Sequence, residues 1–326
     1  MKEFLRPRLA VLAWLSLLAA LAPLAASVHF AADLASHFTL HIGLAAAGLA
    51  LALIVLRRPY SAAAAMLTLC VCLWRVLVVT DGTENRTWRA SARPTGAAEL
   101  RVLQWNVNIA NPDPQEVLGW IASLDPAPDL IALLEVGPVM ARAVATRDWH
   151  YRVLLSEPRE DAFGIALLST RRELKATVHT HRNLAVPSAV VVLCNGAPGA
   201  ARIIASHPPP PMGALLARHR NEQLEELVDL VRADGASVLL GDLNLTPWSA
   251  TYRALLRDGQ LRPGFAGLPP ATWSPPWVPL WLGIPIDLVL LSPGVRVTQQ
   301  LLGPRLGSDH APVISTLRFD AGECPG

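Results

Sequence analysis

The first eighty residues contain three long apolar stretches, at about 9–28, 40–56 and 62–80. Each is close to the roughly 20 residues that a membrane-spanning helix needs. A soluble helical bundle with a buried core is the alternative, but three such runs in so short a segment exceed what a small globular core uses. The pattern therefore predicts an N-terminal membrane anchor with three transmembrane helices.

The basic residues around these stretches predict their orientation. Those that precede the first stretch or separate the second from the third are Lys2, Arg6, Arg8, Arg57 and Arg58. A polar loop is expected at 29–37, between the first two stretches, and it contains neither Lys nor Arg. Because Lys and Arg favour the cytoplasmic side, the N-terminus and the Arg57 loop are expected in the cytoplasm. The chain after Thr80 is then expected outside it, in a multi-pass protein of the plasma or inner membrane.

The first stretch also has features of a signal peptide, with Leu24-Ala25-Ala26-Ser27 as a weak cleavage region. Cleavage would leave two spans and the same outside placement of the remaining chain. Residues 81–98 are polar and contain Gly, Pro, Ser and Thr. This composition predicts a linker between the anchor and a second domain.

From residue 99 to 319 short apolar runs alternate with helical patterns, and a tail follows at 320–326. The expected strands lie at 100–105, 130–134, 151–155, 163–169, 174–180, 189–193, 202–205, 236–240, 286–291, 295–301 and 313–319. The expected helices lie at 113–124, 138–146 and 212–233, with a short helix opening at Trp248. Because several strands follow one another without a helix between them, packed mixed sheets are expected rather than a parallel doubly wound sheet.

The charge of this second domain limits its partners. The chain of 326 residues has a net charge of +2, but residues 97–326 carry 19 basic and 22 acidic residues and a net charge of −3. A tight nonspecific nucleic-acid binder usually has a basic face, so the composition argues against that class. The four cysteines show neither zinc-ligand spacing nor a disulfide framework.

The strand expected at 236–240 ends in Gly241-Asp242-Leu243-Asn244. In an extended chain Asp242 and Asn244 lie on one side of the strand end. Strand ends in α/β proteins are rigid and accessible, which suits chemistry. An Asx turn that closes the strand explains the same two residues equally well.

Polar residues recur where other strands of this domain end. The full set is Asn106, Asn108, Glu135, His207, Asp242, Asn244, Asp287, Ser308, Asp309 and His310. A single polar residue of this kind usually caps a turn or forms its hydrogen bonds within the core. These ten residues fall at six places along the chain with the same placement, which is difficult to explain in that way. Carboxylate and amide oxygens suit Mg²⁺ or Mn²⁺. Histidines with carboxylate partners supply proton transfer and charge neutralisation.

With this set the chain resembles the endonuclease/exonuclease/phosphatase superfamily, which has the fold of DNase I, over residues 99–319. The most specific pieces are Gly241-Asp242-Leu243-Asn244 and Ser308-Asp309-His310, and 163–169 is similar to the family's central strand. The three apolar stretches are similar to those of the membrane-tethered bacterial members. The resemblance implies an α/β (α+β) fold, a four-layer sandwich of two mixed sheets between helices, and a hydrolase that cleaves phosphoester bonds with Mg²⁺ or Mn²⁺.

The resemblance also implies which residues hold the metal and the substrate. Glu135, together with Asn106 and Asp309, would bind the divalent cation, which polarises the phosphoryl oxygen. The expected substrate contacts are Asn108, Ser308 and Trp273.

Five further residues are expected to be catalytic. By the resemblance, Asp287 would orient His310, and this pair would either activate water or stabilise the phosphate. Asp242 would position or deprotonate the attacking water. Asn244 and His207 would hydrogen-bond the phosphate in the transition state.

Residues 263–285 form an unusual segment directly before Asp287, with Trp273, Trp277 and Trp281 among prolines and little charge. Packing of these rings on the domain's own surface is one explanation. The other is an apolar rim that meets a lipid or the bilayer interface, where Trp is favoured. Arg218 and Arg220, on the helix after His207, are expected to be solvated charges.

Three functions fit these observations. The first is a phosphoesterase that acts on a phosphate ester or diester outside the cytoplasmic membrane, with the bilayer as a partner and a lipid-linked phosphate as one candidate substrate. The second is an anchored nuclease for extracellular nucleic acid, against which the acidic domain argues. The third is a non-catalytic tethered binding module, against which the complete set of motif residues argues. No protein partner is inferred.

Overall fold

The structure, a computed structural model, describes residues 2–26, 29–80, 99–182, 184, 186–193, 201–233 and 235–320. The predicted linker at 81–98 and residues 321–326 of the predicted tail lie outside the described residues. The helices are α1 (Lys2–Leu21), α2 (Phe30–His37), α3 (Thr39–Val55), α4 (Pro59–Thr80), α5 (Pro114–Ala122), α6 (Pro138–Thr146), α7 (Ala214–Val231) and α8 (Ala250–Gly259), with short 3-10 helices at Ala22–Ala25 and Leu280–Leu282.

The strands closely follow the apolar runs of the sequence. They are β1 (Glu99–Asn106), β2 (Leu130–Leu134), β3 (Arg152–Glu157), β4 (Ile165–Ser169), β5 (Lys175–Thr180), β6 (Pro187–Val192), β7 (Arg202–Ala205), β8 (Ser237–Asp242), β9 (Arg262–Pro263), β10 (Asp287–Leu291), β11 (Val295–Leu302) and β12 (Val313–Phe319). The short helix expected from Trp248 begins at Ala250, because the Ser249 hydroxyl accepts the Tyr252 N–H as an N-cap.

Two N-terminal helices, α1 and α4, are long and apolar enough to cross a membrane. The pair α2 and α3 passes the same test together but is bent by 70° at Phe38. Buried small and apolar side chains of α1, α3 and α4, including Ala13, Leu53 and Ala65, pack these helices against one another. We call residues 2–80 the N-terminal unit. The sequence analysis expected a polar connection at 29–37, and the structure instead has helix α2 there.

The remaining chain forms two mixed six-stranded sheets. The strand order is β11-β12-β1-β2-β4-β3 in the first sheet and β5-β6-β7-β8-β10-β9 in the second. Each sheet has one parallel pair near its centre, β1 with β2 and β7 with β8, and its other pairs are antiparallel. A helix connects each parallel pair, α5 in the first sheet and α7 in the second. The prediction of packed mixed sheets is confirmed.

The alternation of side chains along the strands builds the layers. In β1, Val102 points into the core between the sheets, whereas its neighbour Leu103 packs against α5 and α6. The second sheet does the same, with Val238 in the central core and Leu239 against α7 and α8. The order helix, sheet, sheet, helix is the expected four-layer sandwich.

The N-terminal unit contacts the sandwich through α2 and the start of α3. Asp33 forms an ion pair with Arg220 of α7, with 2.6 Å between Oδ2 and Nη2, and both side chains are buried. The Trp248 indole N–H donates to the carbonyl oxygen of His37 at 3.2 Å. The expectation that Arg220 is a solvated helix charge is therefore wrong, whereas Arg218 is exposed beside Glu222.

Candidate active site

The polar strand ends of the two sheets meet at one edge of the sandwich. Asp242 of β8 and Asp287 of β10 are paired neighbours in antiparallel strands. Asn106 ends β1 of the other sheet and is fully buried. Its side-chain NH₂ group donates to Asp242 Oδ2 at 3.1 Å and to Glu135 Oε1 at 2.8 Å, so one amide joins the carboxylates of both sheets.

Glu135 is held in place from two directions. It follows β2 with a left-handed backbone, φ 57°, and its second oxygen, Oε2, accepts the Ile109 N–H at 3.1 Å. The other oxygen accepts from Asn106. A carboxylate offers about four lone-pair sites, so both oxygens retain capacity for a further ligand.

His310 lies between two carboxylates. Its Nδ1 is 2.8 Å from Asp287 Oδ2, and its Nε2 is 3.5 Å from Asp242 Oδ2. Burial disfavours the charged imidazole, but the two carboxylates outweigh burial and raise the pKa of His310 to about 10. At neutral pH the ring is therefore a buried cation, and its Nδ1–H donates to Asp287.

Asp242 is the anion at the centre of this row. Its Oδ2 is also 3.3 Å from Nε2 of His207. Burial would raise its pKa, but His310 and His207 outweigh burial and lower the pKa of Asp242 to about 2. Burial likewise opposes the charged form of His207, yet Asp242 raises the pKa of His207 above its ordinary value. In the row Asp287–His310–Asp242–His207, carboxylates thus alternate with imidazoles.

Of the two explanations offered for Asp242 and Asn244, the structure shows the Asx turn, and it also places both residues at the cleft. The Asn244 N–H donates to Asp242 Oδ1 at 3.1 Å, with Asn244 at φ 50°, which makes an Asx-type turn. The Asn244 side chain also lines the cleft and donates to the Pro208 carbonyl at 2.9 Å. Gly241, at φ 136°, is required for this turn, because a Cβ there would lie 2.0 Å from the Ser206 carbonyl oxygen.

The expected substrate-binding residues have different surroundings. Asp309 accepts the Asn108 side-chain NH₂ and the Trp273 indole N–H, each at 2.8 Å, through its two oxygens. Trp273 lines the cleft. Ser308 is buried, donates to the Asn106 carbonyl and accepts the His310 N–H, so its hydroxyl orders the loop. Neither Ser308 nor Asn108 lines the cleft.

The cleft has a volume of about 400 Å³ and receives residues from both parts of the chain. Glu135, Asp242, Asp309 and the two active-site histidines lie along its polar side. The N-terminal unit contributes Leu34, His37 and Phe38, which the sequence analysis did not single out. Among the described residues, two buried ring nitrogens at the cleft, His37 Nε2 and His207 Nδ1, have no hydrogen-bond partner.

The donor set is suited to a hard divalent cation. Glu135 and Asp309 present carboxylate oxygens at the cleft, which is the ligand type that Mg²⁺ and Mn²⁺ prefer. Asn106 is involved less directly, because its Oδ1 accepts the Asn108 N–H and its NH₂ group is bonded to carboxylates. Ligand atoms of Asp242, Asp287 and His310 also lie within 4.8 Å of one another, but there the imidazolium itself supplies the positive charge.

A second cluster of potential metal ligands, outside the cleft lining, was not predicted. His179 and His181 at the end of β5 face Glu226 of α7, with 3.6 Å and 3.2 Å from their ring nitrogens to Oε2. The other nitrogen of His181 is bonded to the Ser188 hydroxyl at 2.8 Å. The two histidines alternate along a strand, but the third partner comes from a distant helix, which sequence spacing does not reveal.

Solved structures share this fold at low sequence identity. A conserved protein of unknown function from Enterococcus faecalis V583 aligns with a TM-score of 0.54 and 15% identity over 68% of this chain and 100% of its own. TDP2 from D. rerio, complexed with a single-strand DNA product, aligns with a TM-score of 0.52 and 15% identity over 68% of this chain and 99% of its own. The 3′ phosphatase NExo from Neisseria, bound to a product DNA hairpin, aligns with a TM-score of 0.50 and 21% identity over 68% of this chain and 99% of its own.

Sequence comparison gives the family. No curated protein sequence matches this chain. The model of the Endonuclease/Exonuclease/phosphatase family matches residues 103–310, a segment that runs from β1 to His310 and includes each predicted metal-binding and catalytic residue. The chain belongs to the Endonuclease/Exonuclease/phosphatase family.

Proposed function

We propose that this protein is a membrane-anchored, divalent-metal-dependent hydrolase that cleaves a phosphate ester or diester on the extracytoplasmic face of the membrane. The observation that carries the proposal is the row Asp287–His310–Asp242–His207, which opens into a cleft beside Glu135 and Asp309. Family membership supports phosphoester hydrolysis, and the geometry supports a role for each residue.

The charges of the cleft support the metal assignment. In the row, two carboxylates alternate with two imidazoles whose pKa values are raised. Glu135 and Asp309 add two further carboxylates, and neither forms an ion pair within the part of the chain that the structure describes. A divalent cation held by Glu135 and Asp309, with Asn106 behind them, would balance these two charges. When bound, it would polarise the phosphoryl oxygen and stabilise charge on the leaving oxygen.

The protonation states divide the roles of His310 and Asp242. Because the pKa of His310 is raised to about 10, the ring is charged at neutral pH and suits hydrogen-bond donation to a phosphate oxygen. Asp242 is ionised and suits orientation of the attacking water. Asp287 holds Nδ1 of His310, which leaves Nε2 directed at the reacting groups. His207 and Asn244 complete the contacts with the phosphate.

The contact between the N-terminal unit and the sandwich supports an extracytoplasmic location. Because α2 packs on the sandwich through Asp33 and His37, the connection between α1 and α3 and the catalytic domain lie on one side of the membrane. The basic loop at Arg57 and Arg58 lies at the far end of α3. If that loop is cytoplasmic, as the excess of Arg predicts, the catalytic domain is outside.

A nuclease is the alternative. The D. rerio and Neisseria structures hold DNA products, which supports a nucleic-acid substrate for this fold. Against it, one wall of the present cleft is formed by the N-terminal unit, and the domain is acidic. A non-catalytic module would need phosphate contacts only, without the charged row.

The test uses the full chain in phospholipid nanodiscs with Mg²⁺ or Mn²⁺. Substrates are single-stranded DNA, a plasmid, a phospholipid, a polyprenyl pyrophosphate and a soluble chromogenic phosphodiester. The expected result is metal-dependent hydrolysis of a phosphoester that EDTA and His310→Ala abolish, whereas the exposed His150→Ala retains it. DNA cleavage that is lost in His310→Ala would establish the nuclease. Absence of hydrolysis of every substrate would refute the enzyme assignment.

A further inference from the structure

We infer that the N-terminal unit completes the active site, and that the substrate is a lipid whose phosphate reaches the catalytic row from the membrane side. The inference rests on the proposed phosphoesterase function and adds the class of substrate. It is carried by the composition of the cleft wall that α2 supplies.

The cleft has unused hydrogen-bonding capacity that suits a phosphate headgroup. His207 Nδ1 lies in the catalytic domain and His37 Nε2 in α2, and neither buried nitrogen has a partner among the described residues. Both residues line the same cleft as Asp242. A buried imidazole nitrogen without a partner is costly, so a polar group of the ligand is expected there. His37 is therefore a headgroup-binding residue that comes from outside the catalytic domain.

The rest of the cleft lining is largely apolar. Leu34 and Phe38 of the N-terminal unit form one wall, and Pro211, Met212 and Ile284 lie with them around the cavity. Met212 is 75% exposed and Phe38 is 41% exposed, although both are large apolar side chains. A soluble phosphate ester has no use for such a surface, whereas an acyl or isoprenoid chain beside its phosphate would cover it.

The apolar part of the lining adjoins the start of α3, the helix of the second predicted span. His41, on the first turn of α3, is bonded through Nε2 to the carbonyl oxygen of Leu282 at 2.7 Å. This bond holds the Trp-rich segment at 263–285 against the helix that forms the second predicted span. Trp277 and Trp281 of that segment are 83% and 78% exposed. Packing of these two rings on the domain's own surface is thus contradicted, and exposed Trp at the end of a span is typical of the bilayer interface.

The α2 wall is fixed in position. The buried Asp33–Arg220 pair and the Trp248–His37 bond tie α2 to α7 and to the loop before α8. Helix α3 then leaves α2 at the 70° bend at Phe38. A lipid can therefore keep its chain along α3 in the bilayer while its phosphate lies between His37 and the row.

The experiment compares two phosphodiesters that share the same phosphate and fluorogenic leaving group and differ only in the length of the alkyl chain. The full chain in nanodiscs receives 4-methylumbelliferyl hexadecyl phosphate or 4-methylumbelliferyl methyl phosphate. Each is tested with wild type, Leu34→Gln, Phe38→Gln and a matched control, Leu301→Gln. Leu301 lies on the edge strand β11, is 45% exposed and does not line the cleft. His310→Gln checks that both reactions use the proposed site.

We expect wild type to prefer the hexadecyl ester by at least about tenfold in kcat/KM. Leu34→Gln and Phe38→Gln should reduce that preference to within about twofold of unity, because only the hexadecyl ester has a chain that these side chains can cover. Leu301→Gln should change neither rate. Hydrolysis of the methyl ester alone, or an unchanged preference in both cleft variants, would refute the lipid inference and leave the phosphoesterase proposal intact. No hydrolysis of either ester would refute both.

A measurement on the wild-type chain avoids any loss of folding in the variants. A non-hydrolysable hexadecyl phosphonate with a diazirine in its chain is photolysed in the nanodisc, and the crosslinked residues are mapped by mass spectrometry. Crosslinks within 34–41, 210–212 or 277–284 would support the inference. Crosslinks confined to exposed positions of α1 and α4, such as Leu18 and Leu67, would contradict it.

Discussion

Asp33 of α2 and Arg220 of α7 form a buried ion pair that joins the two parts of the chain across 187 residues of sequence. Arg220 also lies within 3.4 Å of the Asn244 carbonyl oxygen and so connects α2 to the loop that follows Asp242. Disruption of this pair is expected to loosen the wall of the cleft as well as the contact between the two parts.

Asp33→Asn should destabilise the protein strongly, because it leaves the Arg220 charge buried and uncompensated. Breaking one partner of a buried pair typically costs about 3–5 kcal/mol of unfolding free energy. The exposed pair Arg218–Glu222 provides the control, and Glu222→Gln should cost less than about 1 kcal/mol. Urea titration in detergent micelles measures both. The double variant Asp33→Asn/Arg220→Gln should lose less unfolding free energy than the two single variants lose in sum. Additive losses would mean that the two residues are not coupled.

Gly241→Ala should prevent stable folding of the β8 turn. A Cβ at this position would lie 2.0 Å from the Ser206 carbonyl oxygen, and the φ of 136° is strained for any other residue. Gly119→Ala in α5 is the matched control, since nothing lies within 4 Å of its added Cβ, and it should stabilise the helix by about 0.5–1 kcal/mol. Thermal unfolding distinguishes the two; equal midpoints for both variants would contradict the close approach of Gly241 to Ser206.

The charged state of His310 predicts how stability depends on pH. Its pKa rises from 6.5 to about 10 on folding, so the folded protein holds a proton that the unfolded chain releases between these values. The stabilisation is full below pH 6.5 and is lost as the pH rises towards 10. In EDTA, the unfolding midpoint of wild type should fall over this range more than that of His310→Gln. The exposed His150→Gln should keep the wild-type dependence, and parallel curves for wild type and His310→Gln would refute the assignment.

Trp277→Ser/Trp281→Ser should lower turnover of a membrane-embedded phosphoester and spare a soluble one. The two indoles are exposed beside α3, so their loss removes contact with the bilayer and leaves the catalytic row intact. Initial rates with the hexadecyl and methyl esters measure the effect. Val139→Ser, at an exposed apolar residue of α6, is the control. An equal loss on both esters would show that the segment supports the fold rather than the membrane contact.

Orientation in the membrane can be checked by cysteine labelling. In a background with the four native cysteines replaced by alanine, Leu268→Cys in the catalytic domain should react with an impermeant maleimide in intact spheroplasts. Tyr60→Cys, at an exposed position next to the basic loop, should react only after permeabilisation. The reverse pattern would place the active site in the cytoplasm and contradict the extracytoplasmic assignment.

The sequence predicted the strands and the row of charged residues because both are local signals. Asp242, for example, follows a run of apolar residues that only a buried strand explains, and its motif with Asn244 is short and specific. The packed mixed sheets follow from such runs, the four-layer order was implied by the resemblance to the family, and the structure confirms both. Trp273 was expected at the substrate, and the structure adds its bond to Asp309.

The role of α2 could not be predicted in the same way. It has eight residues, which is too short for a helical period to be distinguished from a polar connection. Asp33 and His37 resembled loop residues because their partners, Arg220 and Trp248, are remote in sequence. Ser308 illustrates the opposite case, since its motif suggested a substrate contact and its hydroxyl instead bonds the backbone of its own loop and of Asn106.

The two sheets have matching strand orders, and each contributes the end of its parallel pair to the site. The parallel pair β1–β2 ends in an amide and a carboxylate, Asn106 and Glu135, which are bonded at 2.8 Å. The parallel pair β7–β8 ends in an imidazole and a carboxylate, His207 and Asp242, at 3.3 Å. On the proposed mechanism, the sheet with Asn106 and Glu135 would supply the cation site and the sheet with His207 and Asp242 the proton-bearing groups. Neither sheet would then form a complete catalyst alone, and the reaction would need both.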